Sequence, residues 1–230
     1  ELSPTDKFVQ GDRIKIFIGE VEEATKFTKT FVSRKSEELL RGLLELEVPE
    51  IYEGIIEIKN IAREAGSRSK VAVYSDDKNL DVKGACIGRN GMRIQTIIDE
   101  LQGEKIDIVL WNEDVKEFVK NALNPAQVLS VEVVEEGEDN LKVAKVVVAE
   151  NQLSLAIGKK GQNSRLAARL CGVKIDIHTK SDEVVESDED ELEEGSAFQD
   201  TLDERENAEK NSDSFEVEES AFAGLGENKE

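Results

Sequence analysis

Two glycine pairs in this chain bracket polar and basic residues: Gly88-Arg89-Asn90-Gly91 and, 70 positions later, Gly158-Lys159-Lys160-Gly161. Glycine lets the backbone take positive φ and brings main-chain N–H groups close to another backbone. A helix opening after the second glycine adds unpaired N–H donors and a partial positive charge, both suited to a phosphate. Arg89, Lys159 and Lys160 add full charges. This chemistry is anion binding rather than bond breaking. One such tetrapeptide alone reads as a helix–helix turn with solvated cations, because 16 glycines in 230 residues give about one Gly-x-x-Gly pair by chance. Two in the same frame do not arise that way.

The repeat extends well beyond the loops. Ile87-Gly88-Arg89-Asn90-Gly91-Met92-Arg93 is matched by Ile157-Gly158-Lys159-Lys160-Gly161-Gln162-Asn163. Each copy continues through an apolar-periodic stretch to Gly103 or Gly172, then to Lys105-Ile106-Asp107-Ile108 or Lys174-Ile175-Asp176-Ile177. Self-similarity at a fixed spacing is the signature of tandem copies of one fold.

The elements that must hold these loops follow from period and punctuation. Ile94, Ile97, Ile98 and Leu101 form a helical stripe stopped by Gly103; Leu166, Ala167 and Leu170 form another stopped by Gly172. Residues 113–123 carry Val115, Phe118, Val119, Ala122 and Leu123 on one helical face, with Asn112 as the expected N-cap and Pro125 just beyond. Residues 36–48 give an amphipathic helix, and 55–62, 69–75, 127–135 and 141–149 read as strands. Val173, Ile175 and Ile177 alternate with Lys174, Asp176 and His178, as a half-buried strand does. Gly137-Glu138-Asp139-Asn140 marks a hairpin turn. Both copies therefore read α-β-β-α-α-β, an α+β fold in which a three-stranded sheet is covered on one face by helices.

The loops, each between two helices and followed by a strand, resemble the nucleotide-clamping loop of KH domains, and the element order is that of the type II, bacterial KH fold. Further segments resemble the NusA family of bacterial transcription termination and antitermination factors: Leu46-Glu47-Val48-Pro49-Glu50-Ile51-Tyr52, Ile61-Ala62-Arg63-Glu64-Ala65-Gly66, Gly103-Glu104-Lys105-Ile106-Asp107-Ile108-Val109 and Gln152-Leu153-Ser154-Leu155-Ala156-Ile157-Gly158. The resemblance covers residues 10–180. It implies a first KH domain at 36–111 and a second at 112–180. Residues 1–35 would be the last strands of an OB-type barrel, with a β-hairpin extension of the first KH unit as the alternative. Glu1 makes the chain read as a fragment. The resemblance implies binding of nascent single-stranded RNA, and a role in pausing, termination and antitermination with RNA polymerase and other elongation factors. The family's N-terminal polymerase-docking domain has no counterpart here. An RNA-processing enzyme fragment and a ribosome-assembly scaffold remain as alternatives.

On this reading the RNA-binding set is Gly88, Arg89, Asn90, Gly91 and Arg93 at the first loop. The second loop supplies Gly158, Lys159, Lys160, Gly161, Gln162, Asn163 and Arg165, and Arg63, Arg68 and Lys70 flank a hairpin in the first unit. Clustered cations track phosphates and give a salt-dependent affinity. Base choice in KH domains comes from a groove, here built by Ile87, Ile94, Ile106 and Ile108, or by Ile157, Ser164, Ile175 and Ile177. Aromatic residues are only 5% of the chain, so stacking platforms are scarce and aliphatic grooves are expected. Trp111 is expected to anchor the two units to each other.

Charge has to be divided to be understood. Residues 181–230 hold 20 Asp and Glu against 3 Lys and Arg, leaving 31 against 27 in residues 1–180. The first 180 residues are nearly balanced, and the acidic tail fits intrinsic disorder. A solvating, self-repelling tail is the first reading, with a short partner-binding motif, or folding back onto the basic loops as an RNA mimic, as alternatives.

Catalysis and cofactors find no support. His178 is the single histidine and has no paired nucleophile. Cys86 and Cys171 stand 85 positions apart, without the ligand spacing of a zinc site or the pairing of a redox couple. Neither glycine loop ends in the Gly-Lys-Ser/Thr of a nucleotide-binding P-loop. No apolar run approaches membrane length. A cytoplasmic monomer without metal or cofactor is the expectation, since unpaired cysteines fit a reducing compartment.

Overall fold

The computed structural model describes residues 1–23, 27–136 and 141–180. The hairpin turn expected at 137–140 and the acidic tail lie outside the described residues.

Strands β1 (Phe17–Glu23) and β2 (Thr28–Ser33) pair antiparallel as a two-stranded sheet. The first unit follows: α1 (Glu37–Glu47), α2 (Pro49–Tyr52), β3 (Glu57–Glu64), β4 (Arg68–Tyr74), α3 (Val82–Ile87), α4 (Met92–Glu100) and β5 (Lys105–Leu110). The second unit has α5 (Val115–Ala122), β6 (Val128–Glu136), β7 (Leu141–Val148), α6 (Glu150–Ile157), α7 (Gln162–Cys171) and β8 (Lys174–Thr179). Each unit forms a three-stranded sheet, β3-β4-β5 or β6-β7-β8, with the first pair antiparallel and the last strand parallel to its neighbour. The order α-β-β-α-α-β thus holds in both copies, with α2 as an added turn after α1.

Local chemistry explains the helix boundaries. Ser36 caps α1 by accepting from the Glu38 N–H, and Glu37 and Glu38 complement the positive end of the helix. Its buried face is Leu39, Leu40, Leu43 and Leu44, each contributing about 2 kcal/mol by apolar burial. Helix α5 begins one cap later than its sequence suggests. Asp114 accepts from the Lys116 N–H, while the Asn112 side chain accepts from the Asp114 N–H and shapes the approach. Pro49 sits at the first position of α2, where a missing N–H does no harm.

The expectation of a sheet covered on one face fails for the first unit. Ile58, Ile61, Val71, Val73 and Ile108 pack on that unit's own helices. The opposite face, through Ala62, Ala72 and Val109, joins the second unit's core with Phe118, Val119, Leu166 and Leu170. Helices α5 and α7 therefore cover the back of the first sheet. This is why β4 lacks the alternation of a half-exposed strand: Ser69, Lys70, Val71, Ala72 and Val73 are all buried. Trp111 fills the seam, with its ring 5.3 Å from Tyr74 edge-on and 6.5 Å from Phe118. Asn60 Nδ2 donates across it to the Leu170 carbonyl at 2.7 Å.

The segment before α1 is tied down by Arg34, which is 1% exposed. Its guanidinium donates to Asp6 Oδ2 at 3.0 Å, Glu100 Oε1 at 3.2 Å and the Glu100 carbonyl at 2.8 Å.

Candidate nucleic-acid interface

The two loops have the same backbone conformation, torsion by torsion. Gly88, Asn90 and Gly91 have φ/ψ of 78/170, 54/25 and 75/11; Gly158, Lys160 and Gly161 have 75/172, 54/30 and 71/17. Each loop is one 3-10 turn, closed by Gly91 N–H to the Gly88 carbonyl or Gly161 N–H to the Gly158 carbonyl, both 3.1 Å. A Cβ on Gly88 would lie 2.6 Å from Arg93 Cγ, and one on Gly158 would lie 2.9 Å from the Asn163 backbone nitrogen. Around Gly91 nothing stands within 4 Å. The first glycine is thus required by close packing, and the second leaves open space over the helix start. Among the described residues no side chain caps α4 or α7; their first N–H groups, on Met92 and Gln162, donate to the Arg89 and Lys159 carbonyls of the loops.

Arg89, Asn90, Lys159 and Lys160 are exposed, and their side chains have no hydrogen-bond or ion-pair partner among the described residues. These four project from the loop tips as the sequence suggests.

The remaining expected contacts have other tasks. Arg93 Nη1 donates to the Ala85 carbonyl at 2.7 Å and to Glu50 at 2.9 Å. Asn163 is 2% exposed and its Nδ2 donates to the carbonyls of Leu123 at 2.9 Å, Ala156 at 3.1 Å and Leu155 at 3.4 Å. Ala85 and Leu155 are equivalent across the repeat, so Arg93 and Asn163 are the same clip holding each loop to the preceding helix. Gln162 Nε2 donates to Glu64 and Ser67, both at 2.7 Å, and Arg165 Nε donates to Glu64 at 2.7 Å. The Arg165 hydrogen bond is the main reason the Glu64 carboxyl is held below its usual range.

Of three further cations expected at the RNA surface, Arg63 and Lys70 are buried and Arg68 is ion-paired. Arg63 is 8% exposed and forks onto Glu104 at 2.8 and 2.9 Å, while Glu104 also accepts from Ser69 and the Gly66 N–H. Lys70 is fully buried and donates to Asp107 at 3.1 Å and to the Asn124 carbonyl at 3.2 Å. Desolvation lowers its pKa, with Asp107 opposing the shift. Arg68 forks onto Asp107 at 2.7 and 3.0 Å and keeps about a quarter of its side chain exposed. A run of basic residues along a hairpin reads as a phosphate track, but here the acids that neutralise it, Glu104 just before β5 and Asp107 on it, lie some 40 residues on, with no local sign of the pairing.

Beside each loop runs an aliphatic edge. Ile87 and Ile157, equivalent in the repeat, are 38% and 39% exposed, unusual for isoleucine next to a core. Ile106 is partly buried, Ile108 only 7% exposed, and Ile94, Ile175 and Ile177 half-buried. Ile87, Ile106 and Ile108 line one cleft with Lys83, Arg68 and Asp107, and with Asn124 and Pro125 of the second unit. Strand β5 forms the edge of its sheet there, and at its end the Leu110 carbonyl accepts from Asn121 Nδ2 at 3.1 Å. Lys83, Ser67, Glu64 and Asn124 escaped the sequence reading because nothing in their neighbours' spacing marks them.

Two family models match this duplicated architecture: the NusA-like first KH domain over residues 34–111 and the NusA-like second KH domain over 115–184. The chain belongs to the NusA family. Proteins named transcription termination/antitermination protein NusA from Bacillus subtilis and Thermus thermophilus are each 52% identical to it, over 182 and 189 residues. These alignments cover 79% and 82% of the chain and 48% and 47% of the two NusA proteins. NusA from Rickettsia conorii is 43% identical over 88% of the chain and 40% of its own length. The chain spans about half the length of the curated relatives it matches.

Proposed function

We propose that this chain is the single-stranded RNA-binding part of a non-enzymatic transcription elongation factor that modulates pausing, termination and antitermination through nascent RNA. The observation that carries the reading is the duplicated clamp: two loops of one conformation, each with free charged or polar tips, an uncapped helix start and a half-exposed isoleucine beside it. KH loops of this kind clamp the backbone of about four nucleotides each. Family membership supplies the transcriptional context. RNA polymerase and other elongation factors are the proposed protein partners, met by the longer protein, which acts as a monomer in the cytoplasm. Residues 1–35 are proposed as the last strands of an OB-type barrel. Ile14, Ile16, Ile18, Val21, Phe31 and Val32 are exposed there, which suits a sheet whose partner strands belong to a longer chain. Among the described residues no helix is long and apolar enough to cross a membrane.

Competition binding tests the proposal. Unlabelled single-stranded RNA should displace a labelled RNA strand from the full chain far better than duplex RNA of the same length. In single-round transcription the chain should change pause lifetime only after the transcript has emerged from the polymerase. Equal competition by duplex RNA, or an effect independent of transcript length, would contradict it.

A further inference from the structure

The β3–β4 turn of the first unit lies against the second loop. Glu64, the last residue of β3, accepts from Gln162 Nε2 on Oε2 and from Arg165 Nε on Oε1, both at 2.7 Å, and Arg169 Nη1 stands 4.0 Å from Oε1. Ser67 in the same turn accepts from Gln162 at 2.7 Å. Gln162 directly follows Gly161, and Arg165 lies one helical turn further along α7. Arg165 also sends Nη1 back to the Lys160 carbonyl at 3.2 Å. Lys160 is the residue at φ 54 in the middle of the loop. Contacts therefore run unbroken from a carboxylate of the first unit to the strained centre of the second loop.

The first loop has no such brace. The residues equivalent to Gln162 and Arg165 are Met92, which is 67% exposed, and Gln95, which bonds Asp99 on its own helix. Each loop has its clip to the preceding helix, through Arg93 or Asn163, but among the described residues only the second is also held from another unit.

We infer that Glu64 is a positioning residue for the second loop: through Gln162 and Arg165 it fixes the conformation in which that loop meets RNA, so the second clamp depends on the first unit. The inference rests on the RNA-binding reading. Its sign is not the electrostatic one. Glu64 lines a pocket with Lys159, Lys160 and Arg165, and by charge alone it repels a phosphate there, so a mere mask would weaken binding. A positioning residue strengthens binding despite its charge.

The two roles separate when the charge is removed with and without the hydrogen bonds. In the full chain carrying Arg89→Asp and Asn90→Asp, which leaves the second loop to bind, Glu64→Ala should lower affinity for a labelled four-nucleotide single-stranded RNA about ten-fold, as loss of a charge-assisted hydrogen bond does. Glu64→Gln, which keeps an acceptor for Arg165, should stay within about two-fold of its parent, with the salt dependence unchanged. If both variants bind more tightly and with steeper salt dependence, Glu64 is a mask and the inference falls. Amide hydrogen exchange without RNA gives a second readout: Glu64→Ala should speed exchange at Lys159, Lys160 and Gly161 and leave Arg89, Asn90 and Gly91 unchanged. Unchanged exchange in the second loop overturns the inference whatever RNA does. Absence of RNA binding by the unsubstituted chain would sink the functional reading alone, with the exchange comparison still decisive here.

Discussion

At the scale of single residues, charge separates into two populations that sequence alone merges. Arg89, Lys159 and Lys160 are exposed and unpaired among the described residues, whereas Arg63 and Lys70 are neutralised inside the fold. Replacing any of the first three by Ala should weaken RNA binding whatever the sequence bound, and reduce the slope of log affinity against log salt by about 0.7 per lost contact. Arg63→Ala should leave that slope alone and lower stability by about 3–5 kcal/mol, because Glu104 is left buried and unpaired; urea unfolding measures it. The glycines divide in the same way. Gly158→Ala meets backbone at 2.9 Å in a torsion region other residues avoid, while Gly161→Ala meets only Arg165 Nη1 at 3.9 Å, at a left-handed φ costing about 1–2 kcal/mol. Urea midpoints should therefore fall further for Gly158→Ala; equal losses would show that the close approach is unimportant. Burial pushes the Cys86 thiol up to about 11 and that of Cys171 to about 12, so both stay protonated at neutral pH. Neither should react with Ellman's reagent at pH 7 on the timescale of the unfolded chain.

At the scale of elements, most of the fold was legible. Repeated glycines, apolar periods and stop signals placed the strands and most helices of the two units to within a few residues, because those signals are local; α2 was not expected, and α3 and α6 were expected without bounds. The helix cap moved from Asn112 to Asp114, since two polar residues two positions apart both satisfy the pattern and only the hydrogen bonds distinguish them. The sandwiching of the first sheet was not legible, although its trace is in the sequence: β4 buries five residues in a row, against the alternation of a one-sided sheet. The functions of Gln162 and Arg165 were hidden for a similar reason, as their partner Glu64 lies 98 and 101 positions away. The seam at Glu64 also responds to pH. Its folded pKa lies below that of the unfolded chain, chiefly through Arg165, so its contribution is present above the unfolded value and is lost as pH falls through the folded one. The stability difference between the unsubstituted chain and Glu64→Gln should accordingly shrink as pH drops below the normal glutamate range. A difference that stays constant down to complete protonation would show that the carboxylate does not act through its charge.

At the scale of the whole molecule, two copies of a fold have become one body. The first sheet lies between its own helices and α5 and α7, with Trp111, Asn60 and Lys70 joining the units. Neither unit can expose that seam without losing core, so residues 34–180 should unfold within one cooperative urea transition; fluorescence of Trp111, at the seam, should coincide with circular dichroism. Two loops on one rigid support have a fixed spacing, so a strand held by both gains from an effective local concentration that neither loop has alone. The measurement that bears most directly on this account is fluorescence anisotropy with one labelled single-stranded RNA at two salt concentrations. It compares the full chain with a variant carrying Asp at Arg89, Asn90, Lys159 and Lys160. Binding should be tight and salt-dependent in the first and collapse in the second, with unchanged circular dichroism. Equal binding by the two proteins would contradict the claim that the repeated loops are the RNA clamp.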